Sequence, residues 1–267
     1  MIHPTACIHP GARIGAGTVA GPFAVVDADV TLGEQCVLGP HVHLTGHTVI
    51  GRGNRFHAGS VIGDAPQDAK YAGGPTRLRI GDGNVFREHV TVHRSNQEAE
   101  DTVIGDRNFL MAGSHVGHNC RIGSDNILAN GALLAGHVTV ADRVFISGNC
   151  VVHQFCRIGR LAMMQGGAAI SLDLPPFCIA RGDNGISGLN VVGLRRAGIS
   201  ASDRLLLRRA YHALFRFTGR RAEALVRVRS QLGGHPLVEE LLQFVESTRR
   251  GICPAIGRAA PADAPVE

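Results

Sequence analysis

The chain has 267 residues, of which 44% are hydrophobic, yet only 4% are aromatic and none is Trp. This composition suits a narrow core of Ile, Leu and Val better than a broad globular one. No apolar run approaches the ~20 residues of a membrane-spanning helix, and no signal sequence precedes the first predicted element, so we expect a cytoplasmic protein without a transmembrane segment. The net charge of +5 comes almost entirely from Arg, because Lys70 is the single lysine.

A six-residue repeat runs through the first two thirds of the chain. An apolar residue falls on every sixth position from Ile8 to Ile62, from Ile80 to Val92 and from Ile104 to Ile170. Hexapeptide repeats are typical of a parallel β-helix, in which three hexads close one triangular turn of about eighteen residues. A Gly often follows the apolar residue, and we expect it to let the backbone bend at each corner of the triangle.

Two segments interrupt the repeat. Residues 64–79 contain Pro66 and Pro75, and residues 94–102 are polar and acidic. Loops that leave a solenoid commonly form its binding surface, so we expect the chemistry to lie near them.

After Ile170 the repeat fades, and from Ser200 apolar residues recur at helical spacing. Ser200 with Asp203 is typical of a helix N-terminus. The predicted organisation is therefore a β-helix over residues 1–182, with loop excursions at 64–79 and 94–102, then a helical domain over 183–251 and a disordered tail over 252–267.

The repeat also predicts which polar residues stack. His118, Gly136 and Gln154 follow one another at eighteen-residue steps, as do Asn119 and His137, so they should line one edge of the prism. A histidine there can serve as a general base near neutral pH, because its usual pKa is about 6.5. Gly136 should leave a gap in the wall, which a ligand approaching the backbone would need.

A carboxylate beside such a histidine would orient it and stabilise its protonated form. Asp68, in the first excursion, is the candidate, although spacing alone does not bring it to that edge. The predicted C-terminal helices are rich in Arg, so their surface should attract an acidic protein or a nucleotide. No aromatic platform interleaves with these arginines, and we predict no nucleic acid partner.

Five segments, in this order, resemble the UDP-N-acetylglucosamine O-acyltransferase family, whose members open lipid A synthesis. The segments are Gly63–Thr76, His115–His118, Leu134–Val138, Val152–Cys156 and Asn190–Arg196. The resemblance covers about residues 1–250. It implies an all-β, left-handed parallel β-helix with a small C-terminal helical domain, assembled as a homotrimer with active sites between neighbouring subunits.

The resemblance also implies roles for individual residues. His118 would be the general base that takes the proton from the 3-hydroxyl of UDP-N-acetylglucosamine as it attacks an acyl thioester on acyl carrier protein, and Asp68 would support it. The implied substrate-binding residues are Gln67, Lys70, His115, Asn119, Gly136, His137, His153, Gln154, Asn190 and Arg196. Met163, Met164 and Gly166 would measure the acyl chain. The thioester is a substrate, and the resemblance implies no metal and no cofactor.

The sequence departs from the family pattern at two positions. Asn119 stands where the family typically has Asp, and Val192 where related enzymes can carry Glu. These departures keep two alternatives open: acylation of a 3-amino sugar nucleotide and a non-catalytic binding protein of the same fold. A third alternative is a zinc-dependent enzyme of the γ-carbonic anhydrase type, which also consists of hexapeptide repeats. This sequence lacks the H-x4-H ligand spacing of that enzyme type around His115 and His118.

Overall fold

The computed structural model describes residues 1–217 and 219–256. Its larger part is a triangular prism whose three faces are parallel β-sheets, and this is the predicted left-handed parallel β-helix. The eighteen-residue step is confirmed by the strand register, because Val116 pairs with Leu134 and Leu134 with Val152. All three side chains point inward and are fully buried.

The strands of the described residues fall into three sheets, one for each face of the prism. The nine-stranded sheet contains Cys7–Ile8, Val25–Val26, His43–Leu44, Val61–Asp64, Thr91–His93, His115–Val116, Leu133–Leu134, Val151–Val152 and Ala169–Ile170. The eight-stranded sheet contains Arg13–Ile14, Thr31–Leu32, His47–Ile50, Arg77–Ile80, Asp101–Ile104, Arg121–Ile122, Thr139–Val140 and Arg157–Ile158. The ten-stranded sheet contains Val19–Ala20, Val37–Leu38, Arg55–Phe56, Val85–Phe86, Phe109–Leu110, Ile127–Leu128, Phe145–Ile146, Met163–Met164, Cys178–Arg181 and Gly185–Leu189.

The glycines that follow the apolar positions have a different purpose from the predicted one. A Cβ on Gly33 would lie 2.5 Å from the carbonyl carbon of Gly51 in the next turn. The left-handed backbone conformation at the corners falls instead on later residues such as Gln35 (φ 56°) and Asp125 (φ 60°). Gly is therefore required because successive turns stack closely, and the prediction that it bends the corner is wrong at these positions.

The C-terminal part continues one face of the prism before it becomes helical. Cys178–Arg181 pairs in parallel with Met163–Met164, and Gly185–Leu189 adds an antiparallel strand, so the sheet runs past residue 182. The division into domains at that residue stays a prediction. The helices are α1 (Val191–Arg196), α2 (Ala201–Phe215), α3 (Arg221–Leu232) and α4 (Pro236–Glu246).

Two contacts define this helical region. Ser200 caps α2 by accepting the Asp203 N–H, as predicted. Asp173 is 1% exposed, and its carboxylate accepts hydrogen bonds from the Arg157 guanidinium (3.0 Å) and the Thr248 hydroxyl (2.8 Å). A buried carboxylate is stable only when it is paired in this way, so Asp173 ties the chain after α4 to the prism.

The predicted disordered tail begins too early. Ile252 and Ala255 are buried and form backbone bridges with Asp173 and Ile186. Residues 252–256 are therefore part of the folded structure, because their apolar side chains pack against the end of the prism. The rest of the predicted tail, residues 257–267, lies outside the described residues. Within the described ranges, every helix is too short or too polar to span a bilayer.

Candidate active site

The candidate site lies on the edge between the nine-stranded and eight-stranded sheets, which we call the His edge and define by His118, Gly136 and Gln154. The imidazole of His118 lies directly over Gly136, since a Cβ at Gly136 would come within 2.7 Å of its Cε1 and Nε2 atoms. The predicted gap at Gly136 thus exists, but the ring of His118 fills it. Gly136 positions this ring because only a residue without a side chain leaves the space.

Asn119 holds the other side of the His118 ring. Its Oδ1 lies 2.9 Å from His118 Nδ1 and accepts the backbone N–H of Asn96 at 3.0 Å. Its Nδ2 donates to Ser95 Oγ at 2.8 Å and to Glu100 Oε2 at 3.2 Å. Asn119 is only 4% exposed, so its predicted contact with substrate is not available, and it orients His118 instead.

These contacts fix the tautomer of His118. The Asn96 N–H can only donate, so the Asn119 atom that it faces is the amide oxygen. The Glu100 carboxylate can only accept, so the Asn119 atom that it faces is the amide nitrogen. Because Asn119 Oδ1 can only accept, His118 Nδ1 must carry the proton. Nε2 is then left with a free lone pair, which is the atom that a general base uses.

Asp68 is held near this site by its own chain, whereas spacing alone had left it distant. Its carboxylate accepts the Lys70 N–H at 2.9 Å and the Asn96 side-chain amide at 2.8 Å. The Lys70 N–H is the main reason that the pKa of Asp68 is lowered, and Asn96 and the charge of His118 contribute. Among the described residues Asp68 makes no hydrogen bond to His118, so the predicted direct support is not formed within one chain, where Asn119 provides it.

Three further imidazoles surround His118. His137 crosses it edge to face, with ring centroids 5.1 Å apart, and stacks on Phe155. Burial lowers the pKa of His115 to about 4, with contributions from the positive charges of His93 and His118, so His115 stays neutral near pH 7. Burial also lowers the pKa of His93 and of His137.

His93 is a site residue that the sequence did not single out. It is 6% exposed, and its Nδ1 has no hydrogen-bond partner among the described residues. The repeat could have identified His93, because it follows Val92, whose side chain points inward, in the strand that pairs with His115–Val116.

Four predicted binding residues are solvent-facing in the single chain: Gln67, Lys70, His153 and Gln154.

Comparison with known proteins found two family models that match parts of this chain. A family model described as UDP-N-acetylglucosamine O-acyltransferase, domain 2, matches residues 173–253, and the bacterial transferase hexapeptide model matches residues 11–46, 29–64 and 101–136. The acyl-[acyl-carrier-protein]--UDP-N-acetylglucosamine O-acyltransferase of Anaeromyxobacter sp. is 45% identical over 94% of this chain and 98% of that protein. The enzyme of that name from Agrobacterium fabrum is 42% identical over 91% of both.

The chain belongs to the UDP-N-acetylglucosamine O-acyltransferase family. Solved structures support the assignment. The Francisella novicida enzyme has a TM-score of 0.92 at 34% identity, covering 96% of this chain and 95% of that one. The Acinetobacter baumannii protein has a TM-score of 0.91 at 36% identity, covering 94% and 98%.

Two predicted binding residues of this family member lie far from the His edge in one chain. Asn190 caps α1: its Oδ1 accepts the Gly193 N–H and its Nδ2 donates to the Leu161 carbonyl, each at 2.9 Å. Leu161 belongs to the edge between the eight-stranded and ten-stranded sheets. The Asn190 amide is thus committed to the fold, and a substrate contact would break the cap. Arg196 is exposed on the last turn of α1.

Asn190→Ala is therefore expected to destabilise the fold and to leave the chemical step intact. Losing an N-cap costs about 1 kcal/mol, and leaving a buried carbonyl unpaired adds a similar amount. Denaturant unfolding should show a loss of about 2 kcal/mol, while kcat of the folded fraction changes less than about twofold. A variant with unchanged stability and lower kcat would instead assign Asn190 to the substrate.

The predicted acyl ruler is only partly available on the surface. Met164 is fully buried inside the prism, so it cannot line a groove, and this prediction is wrong. Its strand alternates, which turns the neighbouring Met163 outward and half-buried. Gly166 is exposed, and a Cβ added there would make only ordinary contacts, the nearest at 3.7 Å.

Within the described residues, no group of three His, Cys, Asp or Glu side chains is placed to bind a metal.

Proposed function

We propose that this chain moves an acyl group from the thioester of acyl carrier protein to the 3-hydroxyl of UDP-N-acetylglucosamine, the first step of lipid A synthesis. The relatives at 42–45% identity carry the acyl carrier protein and the sugar nucleotide in their names. The observation that supports the chemistry is the position of the His118 ring over Gly136. Its Nδ1 is bound to Asn119, and in the described part of the chain its Nε2 has no hydrogen-bond partner.

The proposed reaction needs one base and one hydrogen-bond donor. His118 Nε2 takes the proton of the sugar 3-hydroxyl as that oxygen bonds to the thioester carbon. The carbon–sulfur bond then breaks, and the imidazolium returns the proton to the departing thiolate of the carrier. Among the described residues no acceptor receives the Gly136 N–H, which makes it the candidate donor to the oxyanion. The His137 N–H is already bound to the His118 carbonyl.

The complete site requires a second copy of the chain, in keeping with a homotrimer. Met163 and Arg196 lie on elements away from the His edge, so one chain does not bring them to His118. The outer face of the ten-stranded sheet carries a ladder of half-buried apolar side chains. The ladder consists of Phe109, Ile127, Phe145, Met163 and Ile179. Such a stripe is suited to subunit contact or to an acyl chain.

The helical region offers a docking surface for an acidic carrier protein. Arg208, Arg209, Arg216 and Arg227 line one cleft between α2 and α3. Within the described residues, no carboxylate forms an ion pair with Arg208, Arg209 or Arg216. Unpaired cations of this kind steer an anionic protein and raise its association rate.

Arg208→Glu should raise KM for acyl carrier protein thioesters by about tenfold at low salt and change kcat little, because the affected step is encounter. Arg13→Glu is the matched control, since Arg13 is also exposed but lies at the opposite end of the prism. Steady-state kinetics at two salt concentrations make the measurement. Equal effects of the two variants would contradict docking at this cleft.

The proposed chemistry uses no metal, so chelation and repurification should leave the rate unchanged. Loss of the rate, with recovery on adding zinc, would instead favour the carbonic anhydrase alternative.

We place the reaction in the cytoplasm, where the seven free cysteines of the chain would stay reduced.

The proposal as a whole is tested with acyl carrier protein thioesters of several chain lengths and two acceptors, UDP-N-acetylglucosamine and its 3-amino analogue. Mass spectrometry of the sugar nucleotide should show an acylated product with the hydroxyl acceptor. Product with the amine alone would replace the ester by an amide. Binding without product from any pair would favour the non-catalytic alternative.

A further inference from the structure

We propose that Glu100 is a positioning residue for the general base and that it acts on His118 through the Asn119 amide. The inference rests on the proposed function, in which His118 is that base. Within the described residues no carboxylate bonds to His118 itself. The carboxylate that comes nearest along the hydrogen-bond network is Glu100, which accepts Asn119 Nδ2 at 3.2 Å, while Asn119 Oδ1 contacts His118 Nδ1 at 2.9 Å.

The orientation of the Asn119 amide is set by its neighbours. Its backbone is fixed in the left-handed region (φ 58°), and its N–H donates to Thr102 Oγ1 at 2.7 Å. The side-chain amide therefore has two flipped arrangements to choose between. In the flipped one, its oxygen would face the Glu100 carboxylate and its nitrogen would face the Asn96 N–H, so both contacts would repel.

Ser95 does not decide between these arrangements as strongly as Glu100 does. A hydroxyl can donate as well as accept, whereas a carboxylate can only accept. Ser95 Oγ donates to the Gln97 carbonyl at 2.9 Å and would have to give up that bond in order to donate to Asn119. Together with the Asn96 N–H, Glu100 thus keeps the Asn119 oxygen against His118 Nδ1, and so keeps Nε2 unprotonated and available.

Two carboxylates lie near His118: the charge of Asp68 interacts with it through space, and Glu100 is linked to it by hydrogen bonds through one residue. The groups around His118 are the imidazoles of His93, His115 and His137 and the carboxylates of Asp68 and Glu100. His115 is neutral near pH 7, because its pKa is about 4. Asp68 binds the Lys70 N–H and Asn96, so its link to the base passes through one more residue. Glu100 is one amide away, and its negative charge stabilises the imidazolium that forms when His118 accepts a proton.

Glu100→Gln separates charge from shape, because Gln can still accept Asn119 Nδ2 through its own carbonyl oxygen. Loss of the negative charge makes the imidazolium that His118 forms in the transition state less stable. We therefore expect kcat to fall about tenfold near neutral pH. KM for the sugar nucleotide should not change. Glu98→Gln is the matched control, since Glu98 is on the same loop and its side chain does not contact Asn119.

A second variant gives a result that a merely structural role would not produce. Asn119→Asp places a carboxylate directly against His118 Nδ1, where the Glu100 carboxylate then repels it. Glu100→Gln in that background removes the repulsion and lets the Gln amide donate to the new carboxylate. The same substitution should therefore lower kcat in the natural chain and raise it, or leave it unchanged, in the Asn119→Asp chain. An equal loss in both backgrounds would overturn the proposal.

The tautomer of His118 can be measured in the absence of substrates, so the role of Glu100 can be tested independently of the reaction. Nitrogen NMR of histidine-labelled protein, with His118→Asn to assign the signals, should show the Nδ1–H tautomer in the natural chain and a mixed population in Glu100→Ala. If the natural chain makes no product from any donor, the proposed function fails, whereas the tautomer still tests the role of Glu100. Product formed at equal rates and an unchanged tautomer in the Glu100 variants would overturn that role alone.

Discussion

His118→Ala should lower kcat by about two to four orders of magnitude while the protein stays folded. Positioned general bases contribute roughly that factor. The Nδ1 of His118 is held by Asn119, and its Nε2 has no hydrogen-bond partner among the described residues. KM for the sugar nucleotide should change much less, because the lost interaction forms mainly in the transition state. Release of the carrier thiol from the acyl thioester measures the rate.

The matched control for this variant is His57→Ala. His57 also follows a strand of the prism, but it lies on a different edge and faces Glu88 at 3.5 Å. Circular dichroism and the oligomeric state in solution should match the natural protein for both substitutions. A His118→Ala protein that is folded and fully active would remove His118 from the chemistry.

Gly136→Ala should cost about 100-fold in kcat, since displacing a catalytic group by about 1 Å has an effect of that size. The three atoms nearest to the added Cβ all belong to the His118 ring, the closest two at 2.7 Å. The backbone of Gly136 is outside the left-handed region, so Ala fits its conformation. The substitution should therefore move the base without unfolding the prism.

Gly148→Ala serves as the control for that prediction. Gly148 lies on another edge, and an added Cβ there meets only the Asn130 carbonyl oxygen at 3.4 Å, an ordinary contact. Thermal unfolding should place both variants close to the natural protein, and only Gly136→Ala should lose activity. Equal rates for the two would show that the His118 ring does not depend on the space over Gly136.

The hexad predicted the parts of the fold that depend on a constant step. It aligned Val116 with Leu134 and Val152, and it stacked His118 on Gly136. It also assigned Met164 to the interior, where the structure has it, although the family resemblance suggested a role in the acyl groove.

The remaining site contacts depend on loops, whose paths no repeat encodes. Between Thr91 and His115 the step to the next turn is 24 residues instead of 18, because the second excursion is inserted there. That insertion brings Ser95, Asn96 and Glu100 to Asn119. The departure at Asn119 was visible in the sequence, but the carboxylate behind it was not, because side-chain hydrogen bonds across a loop follow from tertiary structure.

The most direct test of the proposed reaction is to identify the product and its dependence on His118 together. The natural protein and His118→Ala are incubated with UDP-N-acetylglucosamine and one accepted acyl carrier protein thioester, and proton NMR locates the new ester on the sugar. We expect an ester on O3 from the natural protein and at most about one hundredth of its rate from the variant. An ester at another position, or the same product at the same rate from both proteins, would contradict it.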